Sequence, residues 1–371
     1  MAANKPKKRM TKAERAKRKR RRIALFAVEA LLLVVLVVAL YFVSKYNKMD
    51  RVEINEEDIV MNEQAVPETV DEEQIETNQG LGNHMDKYWN IALFGVDSRK
   101  GSLGKGTLSD TIIIASINKE TKDVRLASIY RDTYLNIGND TYTKANAAYA
   151  KGGPVQAINM INMNFDMNIT DYATVGWAGV ADTIDALGGV EIDVDSAEIT
   201  HLNNYQVETS KSLGRSYKQV TSTGLQTLDG IQAVSYCRIR YTEGDDFKRT
   251  ERQREVIQAI INKAKASSPA ALNSAANNIF DEVSTSLSLS EILSLISDVA
   301  SYNIVETTGV PFEEYRQTGS VGKSGSCVIP VTLEDSVLKL HQFLFDGAPD
   351  YTPSESVKTY SQKVASDTGK Y

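Results

Sequence analysis

The chain has 371 residues, 42% of them hydrophobic, with 42 Lys and Arg against 48 Asp and Glu and a formal net charge of -6. That apolar content supports a packed core and excludes wholesale disorder, while two cysteines and three scattered histidines exclude a disulfide-framework protein, a zinc finger and an iron–sulfur protein. The charge is divided unevenly: residues 5–22 hold twelve Lys and Arg and one acid, Glu14, which leaves the rest of the chain strongly acidic. An acidic body argues against nucleic acid as the principal ligand, because a phosphate backbone is bound on a basic face.

The basic block, residues 1–22, runs directly into residues 23–43, 21 residues with a single charge, Glu29. As a helix this segment is roughly 31 Å long, enough to cross a bilayer. The positive-inside rule places residues 1–22 in the cytoplasm and everything after the span outside. Residues 44–86 are acidic, contain Pro67 and lack apolar periodicity, which reads as an extracytoplasmic linker. From residue 87 the texture changes. Residues 88–96, 111–118 and 123–129 are short runs rich in Ile and Val, the pattern of buried strands. Residues 153–164 and 177–187 have helical spacing, Gly188 and Gly189 cap the second helix, and residues 190–194 form a further strand. Residues 200–223 are polar and read as a loop. Residues 247–266, 289–301 and 333–345 read as helices, and residues 347–371 as a disordered tail. Residues 87–346 therefore form one α/β domain, a central mixed β-sheet flanked by helices, preceded by one transmembrane helix.

Charged residues gather at the ends of the predicted strands. Asp97 follows the first, Asp110 leads into the second, and Arg131 and Asp132 follow the third. If the first two strands form a hairpin, Asp97 and Asp110 meet at one edge with Arg131 alongside. Two adjacent carboxylates repel unless a cation lies between them, and Mg²⁺ is the hard, oxygen-loving choice; turn chemistry is the plain alternative. Farther on, Arg238 and Arg240 share a face if the segment is extended and diverge if it ends a helix. On the long helix, Arg249 and Gln253 lie on the stripe of Val256 and Ile260, facing inward, and Arg254 faces outward. An inward Arg needs an anion, either an acid such as Asp246 or a bound phosphate met by an arginine cluster.

In this order and spacing, the segments NIALFGVDSR, LSDTIIIASIN, LASIYRDTYLNI, KANAAYAKGGP, DALGGVEIDV and LDGIQAVSYCRIRYTEGDDFKRTERQREVI, across residues 88–266, resemble the LytR–CpsA–Psr family. The resemblance implies a membrane-anchored phosphotransferase of Gram-positive cell-wall assembly. Such an enzyme moves a glycopolymer, teichoic acid or capsule, from a polyprenyl (undecaprenyl) diphosphate carrier to a peptidoglycan acceptor through a phosphodiester bond, and a pyrophosphatase side activity is compatible with it. It also implies Mg²⁺ (or Mn²⁺) on Asp97 and Asp110, a catalytic Arg131, and a diphosphate met by Arg238, Arg240, Arg249 and Gln253. Two positions depart from the family pattern. Leu108 stands where an Arg is usual, with Lys105 or Arg99 as the available substitute, and Tyr130 replaces a Pro.

This chemistry needs no ATP, because the anhydride is already in the substrate. The arginines stabilise charge in the phosphoryl transition state, and Asp132 or Asp97 takes the acceptor's proton. The lipid needs an apolar channel, for which the helix faces of residues 155–161 and 256–261 are candidates, although core packing accounts for each as well. The rival reading is a non-catalytic, lipid-diphosphate-binding or scaffold protein of the envelope. The outside location and the presence of only two cysteines point to a Cys237–Cys327 disulfide, with buried free thiols as the alternative.

Overall fold

Apolar runs with no charged interruption, such as Ile112, Ile113 and Ile114, can be buried on both sides only in the interior of a sheet, and the chain places them there. The computed structural model describes residues 46, 50–51, 54–62, 84–97, 103–240, 245–279, 282–348 and 350–371, and all but residue 46 belong to one unit, Met49–Tyr371. The expected basic segment, the apolar span at 23–43 and Arg99 lie outside the described residues. Among the described residues no helix is long and apolar enough to cross a membrane.

In chain order the strands are β1 (Asp50–Arg51), β2 (Tyr88–Val96), β3 (Ser109–Asn118), β4 (Asp123–Ile129), β5 (Tyr134–Asn136) and β6 (Tyr142–Lys144). Helix α1 (Asn146–Phe165), β7 (Asp171–Gly176), α2 (Trp177–Ala186), β8 (Val190–Val194), α3 (Ser196–Leu213), β9 (Gly224–Leu228), α4 (Gly230–Tyr236) and α5 (Asp245–Lys265) follow. The chain continues through α6 (Pro269–Ile279), β10 (Val283–Thr285), α7 (Leu289–Ser297), β11 (Asn303–Val310), β12 (Arg316–Val321), β13 (Gly325–Pro330), α8 (Leu333–Leu344) and α9 (Glu355–Thr368). A seven-stranded sheet has the order β1-β10-β7-β2-β3-β4-β11. It is mixed: β2, β3 and β4 form an antiparallel meander, β7 and β11 join it in parallel, and β10 is antiparallel to β7. Alternate residues of β3 serve opposite faces. Ile112 and Ile114 pack with Ile158 and Ile161 of α1 and Leu340 of α8, whereas Ile113 packs with Ile91 and Leu126 beside Ile257 of α5. A further cluster joins α2, β8, α3, α4 and α5 around Ile184, Ile192, Leu202 and Val256.

Four expectations need correction. Most of residues 200–223 are helix, not loop: α3 starts on a capping box between Asp195 and Glu198 and ends on Gly214 at φ 64°. Only a narrow stripe including Leu202 and Gln206 is buried, so polarity masked the helix. The tail is not disordered, because α9 buries Val357, Val364 and Ala365. The linker is not wholly a spacer, since Ile54, Ile59 and Met61 pack on the main core. The disulfide is absent: Cys237 and Cys327 are buried free thiols. Cys237 packs beside Ile239 and Val256, while Cys327 on β13 packs beside Ile329 and Val364 of α9.

Linker and tail meet at one buried carboxylate. Asp166, left-handed at the end of α1, is 0% exposed. It accepts hydrogen bonds from Asn62 Nδ2 at 2.5 Å, the Tyr351 hydroxyl at 2.8 Å, and Ser354 N and Oγ at 2.8 and 2.7 Å. Beside it His341 stacks on Tyr351 with ring centroids 3.6 Å apart. One His341 nitrogen, Nε2, lies 2.8 Å from the Phe165 carbonyl, and Nδ1 lies 2.7 Å from Nε2 of His84.

Asp166→Ala leaves these donors unmatched in the core, and the full chain should lose on the order of 3 kcal/mol, read as a lower urea midpoint; an unchanged midpoint would contradict this account. Burial pushes the His341 pKa down from 6.5 to about 3, the Phe165 carbonyl opposing and His84 reinforcing. Between those values the unfolded chain binds more protons than the folded one, so stability falls as pH drops through 6.5 toward 3. His341→Gln should flatten that dependence by up to about 1.4 kcal/mol per pH unit in urea titrations at several pH values.

Candidate active site

The antiparallel β2–β3 pair brings both acids to one edge. Gly95 pairs with Thr111 and Val96 with Ser109, so Asp110 is an extra residue with no partner across the ladder. Such an irregularity re-aims a side chain at a strand end. Gly95 permits the close pairing, because a Cβ there would lie 2.9 Å from the Thr111 side chain. Asp97, the residue after β2, and Asp110 both line a polar pocket of about 210 Å³, together with Arg238, Arg240, Arg249, Trp177, Tyr205 and Cys237.

The arginines converge on one acid from the first turn of α5. Asp246 Oδ1 lies 3.1 Å from Arg249 Nη1 and 3.7 Å from Nε of both Arg131 and Arg240. Arg249, buried to 3% side-chain exposure, donates from Nη2 to the Asp110 carbonyl at 2.5 Å. Arg131 donates from Nη1 to Asp110 Oδ1 at 2.6 Å. Burial works against the Arg131 guanidinium, but Asp110, Asp132 and Asp246 outweigh it and raise its pKa. Burial lowers the pKa of Arg249, aided by Arg131 and Arg240 and opposed by Asp246 and Asp110. The inward Arg249 thus has the acid partner offered as the plain alternative, and it also lines the pocket.

Helix α4 ends at Tyr236, so Arg238 and Arg240 follow a helix end. They nevertheless line the same pocket, while Ile239 between them is fully buried. The missed helix α3 holds Arg238 in place. Arg238 donates to Thr209 Oγ1 at 2.8 Å, reaches Glu208 at 3.4 Å and lies over the Tyr205 ring at 5.4 Å. Glu198 of α3 also pairs with Arg252 of α5 at 2.7 Å, with side chains 5% and 1% exposed; removing one partner would strand the other charge at a cost of about 3–5 kcal/mol. The signal for α3 was in the sequence, as Asp195 followed three residues later by Glu198.

Not every expected residue reaches the polar pocket: Arg131 is bonded to Asp110 but is not among the residues that line it. Asp132 turns to Lys144, 3.2 Å away, outside the pocket lining. Gln253 lines the adjoining apolar cavity instead, with Nε2 buried and unpartnered among the described residues. Leu108 is 48% exposed. Tyr130 is built into the fold: its ring meets Phe247 edge-on at 4.7 Å, and its hydroxyl accepts from Arg316 Nη1 at 2.8 Å. That packing joins the end of β4 to the start of α5, so the Pro-to-Tyr departure fixes the segment that presents Arg131.

The apolar cavity, about 270 Å³, lies between the sheet and helices α2 and α5, with Leu93, Val175, Val180, Val256 and Ile260 among its walls. It shares Trp177 and Cys237 with the polar pocket. It shares Ala173, Thr183, Ile279 and Val283 with a second apolar cavity of about 330 Å³ bounded by α6 and α7. Of the two candidate channel faces, residues 256–261 line this space, whereas Ile158 and Ile161 belong to the main core. Among the described residues no three His, Cys, Asp or Glu side chains converge on a metal position. Asp97 and Asp110 still fit Mg²⁺ or Mn²⁺, since Mg²⁺ is commonly held by one or two carboxylates with phosphate oxygens and water completing its shell.

Comparison with known proteins places this geometry in context. A family model described as the LytR_cpsA_psr family matches residues 44–328. A protein of Oceanobacillus iheyensis named polyisoprenyl-teichoic acid–peptidoglycan teichoic acid transferase TagU is 35% identical over 219 residues, covering 57% of this chain and 62% of that relative. The matched stretch thus spans about three fifths of the relative's length. A Streptococcus agalactiae protein of solved structure superposes with TM-score 0.61 at 24% identity, covering 76% of this chain and 96% of that one. A TagT structure with bound octaprenyl pyrophosphate lipid gives 0.51 at 20% identity, covering 73% and 95%. These structures share the fold, and the family match spans most of the described domain: the chain belongs to the LytR–CpsA–Psr family.

Proposed function

We propose that this chain is a membrane-anchored phosphotransferase, held by residues 23–43 with its domain outside the cell. It moves a glycopolymer from a polyprenyl diphosphate carrier to peptidoglycan through a phosphodiester bond. The observation that carries this reading is the junction at Trp177 and Cys237, where an arginine-lined pocket and an apolar cavity share walls. A ligand suited to both is an anionic head on a long hydrocarbon, which is the form of a polyprenyl diphosphate. The names of the teichoic acid transferase relatives agree with it.

The walls of the polar pocket carry three guanidiniums, of Arg238, Arg240 and Arg249, against two carboxylates, of Asp97 and Asp110, and Arg131 adjoins them through its 2.6 Å bond to Asp110. The balance is positive and favours a diphosphate. Mg²⁺ or Mn²⁺ held by Asp97 and Asp110 would neutralise diphosphate oxygens. The acceptor hydroxyl attacks the phosphorus that bears the glycopolymer, the anhydride P–O bond breaks, and polyprenyl phosphate leaves. Arg131, Arg238, Arg240 and Arg249 stabilise the charge that moves to the equatorial and leaving oxygens. For the hydroxyl proton Asp97 is the candidate that lines the pocket, whereas Asp132 is engaged with Lys144.

Replacing Asp97 and Asp110 together by Ala should abolish transfer while the melting temperature stays within a few degrees of the parent; full metal-dependent transfer by the double variant would refute the assignment. Ala173→Phe narrows the wall common to the two apolar cavities. It should weaken binding of a long-chain polyprenyl diphosphate about tenfold, and of a short-chain analogue much less, by the transfer free energy of buried methylenes. Equal losses for both chains in a binding titration would place the lipid elsewhere.

A further inference from the structure

The hairpin β12–β13 lies outside the motif-bearing residues 88–266, yet both of its strands reach the turn that presents Arg131. That turn is closed by Thr133, whose N and Oγ1 donate to the Tyr130 carbonyl at 2.9 and 2.7 Å, so Arg131 and Asp132 take its two central positions. From β13, Val328 N donates to the Asp132 carbonyl at 3.0 Å. From the start of β12, Arg316 donates from Nη1 to the Tyr130 hydroxyl at 2.8 Å and to the Pro311 carbonyl at 3.1 Å.

The Arg316 guanidinium also lies against two rings, 4.0 Å from the centroid of Phe247 and 5.0 Å from that of Tyr130, and the rings meet each other edge-on. A cation held against aromatic faces and shielded from water is firmly bound. The place of those rings in the chain gives the contact its consequence. Tyr130 precedes Arg131 and Phe247 follows Asp246, and Arg131 Nε lies 3.7 Å from Asp246 Oδ1. One side chain therefore grips the chain neighbour of each member of that ion pair.

Gly309 of β11 completes the seat. It pairs with Ser128 of β4, and a Cβ on it would collide with the Tyr130 hydroxyl and ring, so glycine leaves the room that the phenol takes. The Tyr130 backbone is tied to the same strand, its N donating to the Val310 carbonyl at 3.1 Å. Arg316 lines neither the polar pocket nor the two apolar cavities. Its effect on a ligand there must pass through the residues it holds.

We infer that Arg316 is a positioning residue for transfer, clamping Tyr130 to Phe247 so that the turn after β4 delivers Arg131 to Asp110 and Asp246. This inference rests on the transferase reading. Displacing a group that acts on the transition state by about an ångström costs on the order of a hundredfold in rate. Ground-state binding of the diphosphate falls to Arg238, Arg240 and Arg249 in the pocket wall, and needs no contact with Arg316.

The test is transfer by the full chain in detergent, with affinity for a polyprenyl diphosphate measured separately and kcat counted per lipid-binding site, so that unfolded chain is not scored. Arg316→Met keeps the packing stem and removes the charge. Its kcat should fall at least about tenfold while affinity changes less than about threefold. Arg316→Lys keeps a cation against the rings and should recover most of the rate. Gly309→Ala leaves Arg316 in place but pushes the phenol off its seat, and should reproduce the loss of kcat with affinity kept; it tests the clamp even if the Arg316 variant folds poorly. Because both act through one contact, the double variant Gly309→Ala with Arg316→Met should lose little more than either alone. Parental kcat in Arg316→Met, an equal loss of affinity, a Lys variant as slow as the Met variant, or additive losses in the double variant would overturn the proposal. A parent chain that transfers nothing overturns the transferase reading and this role with it, whereas an active parent with an unimpaired Met variant overturns the role alone.

Discussion

The carboxylate of Asp246 is the constraint on which the site depends. Three guanidiniums approach its Oδ1, and at close quarters in a partly dry interior their mutual repulsion would otherwise push the ends of β4, α4 and α5 apart. Asp246 opens α5, Arg131 follows β4, and Arg240 follows α4. One acid on the first helical turn therefore gathers three segments that are far apart in sequence. It is outnumbered, however, and the surplus positive charge is what makes the pocket suited to an anion.

The same helix that carries this acid organises the surroundings on every side. Arg249 enters the polar pocket, Arg252 is buried against Glu198, the stripe from Val256 to Ile261 walls the apolar cavity, and Arg254 lines a separate polar cavity. A helix with so many charges cannot be held by apolar burial alone. The buried Arg252–Glu198 pair fixes its rotation, since any turn about the axis would strip a desolvated charge of its partner. The stack of Tyr130, Phe247 and Arg316 fixes its first turn, with the Arg316 guanidinium 4.0 Å from the Phe247 ring centroid.

Adjacency of unlike surfaces follows from the sheet. A residue at the edge of β2 or β3 is polar where the chain turns, and one or two positions inward it is apolar because both faces are covered. Asp97 thus stands three residues beyond Phe94, and Asp110 three before Ile113, both of which wall the apolar cavity. Head and tail of an amphiphile find their surfaces in the order in which the strand itself changes character.

The sequence by itself determined where the first strands of the sheet run and which charged residues stand at their ends. β2 and β4 have the expected limits, and the hairpin that joins Asp97 to Asp110 follows from them, because short Ile- and Val-rich runs bounded by Gly, Asp and Lys have few other ways to bury themselves. The motif order over residues 88–266 also fixed the family. Helix α3, the docked tail and the state of the cysteines were decided by tertiary structure. α3 buries only a narrow stripe, and its principal role, anchoring Arg238 and Arg252, shows only once α4 and α5 lie beside it. The tail and linker look solvated until Asp166 collects their donors into one buried site. Cys237 and Cys327 are chemically able to pair, but they pack into separate clusters, and covalent bonding depends on where the packing places the sulfurs. Arg254, expected to face outward and found buried, is the same lesson in reverse: periodicity counts neighbours along one helix, whereas β8 and β11, which cover it, come from elsewhere in the chain.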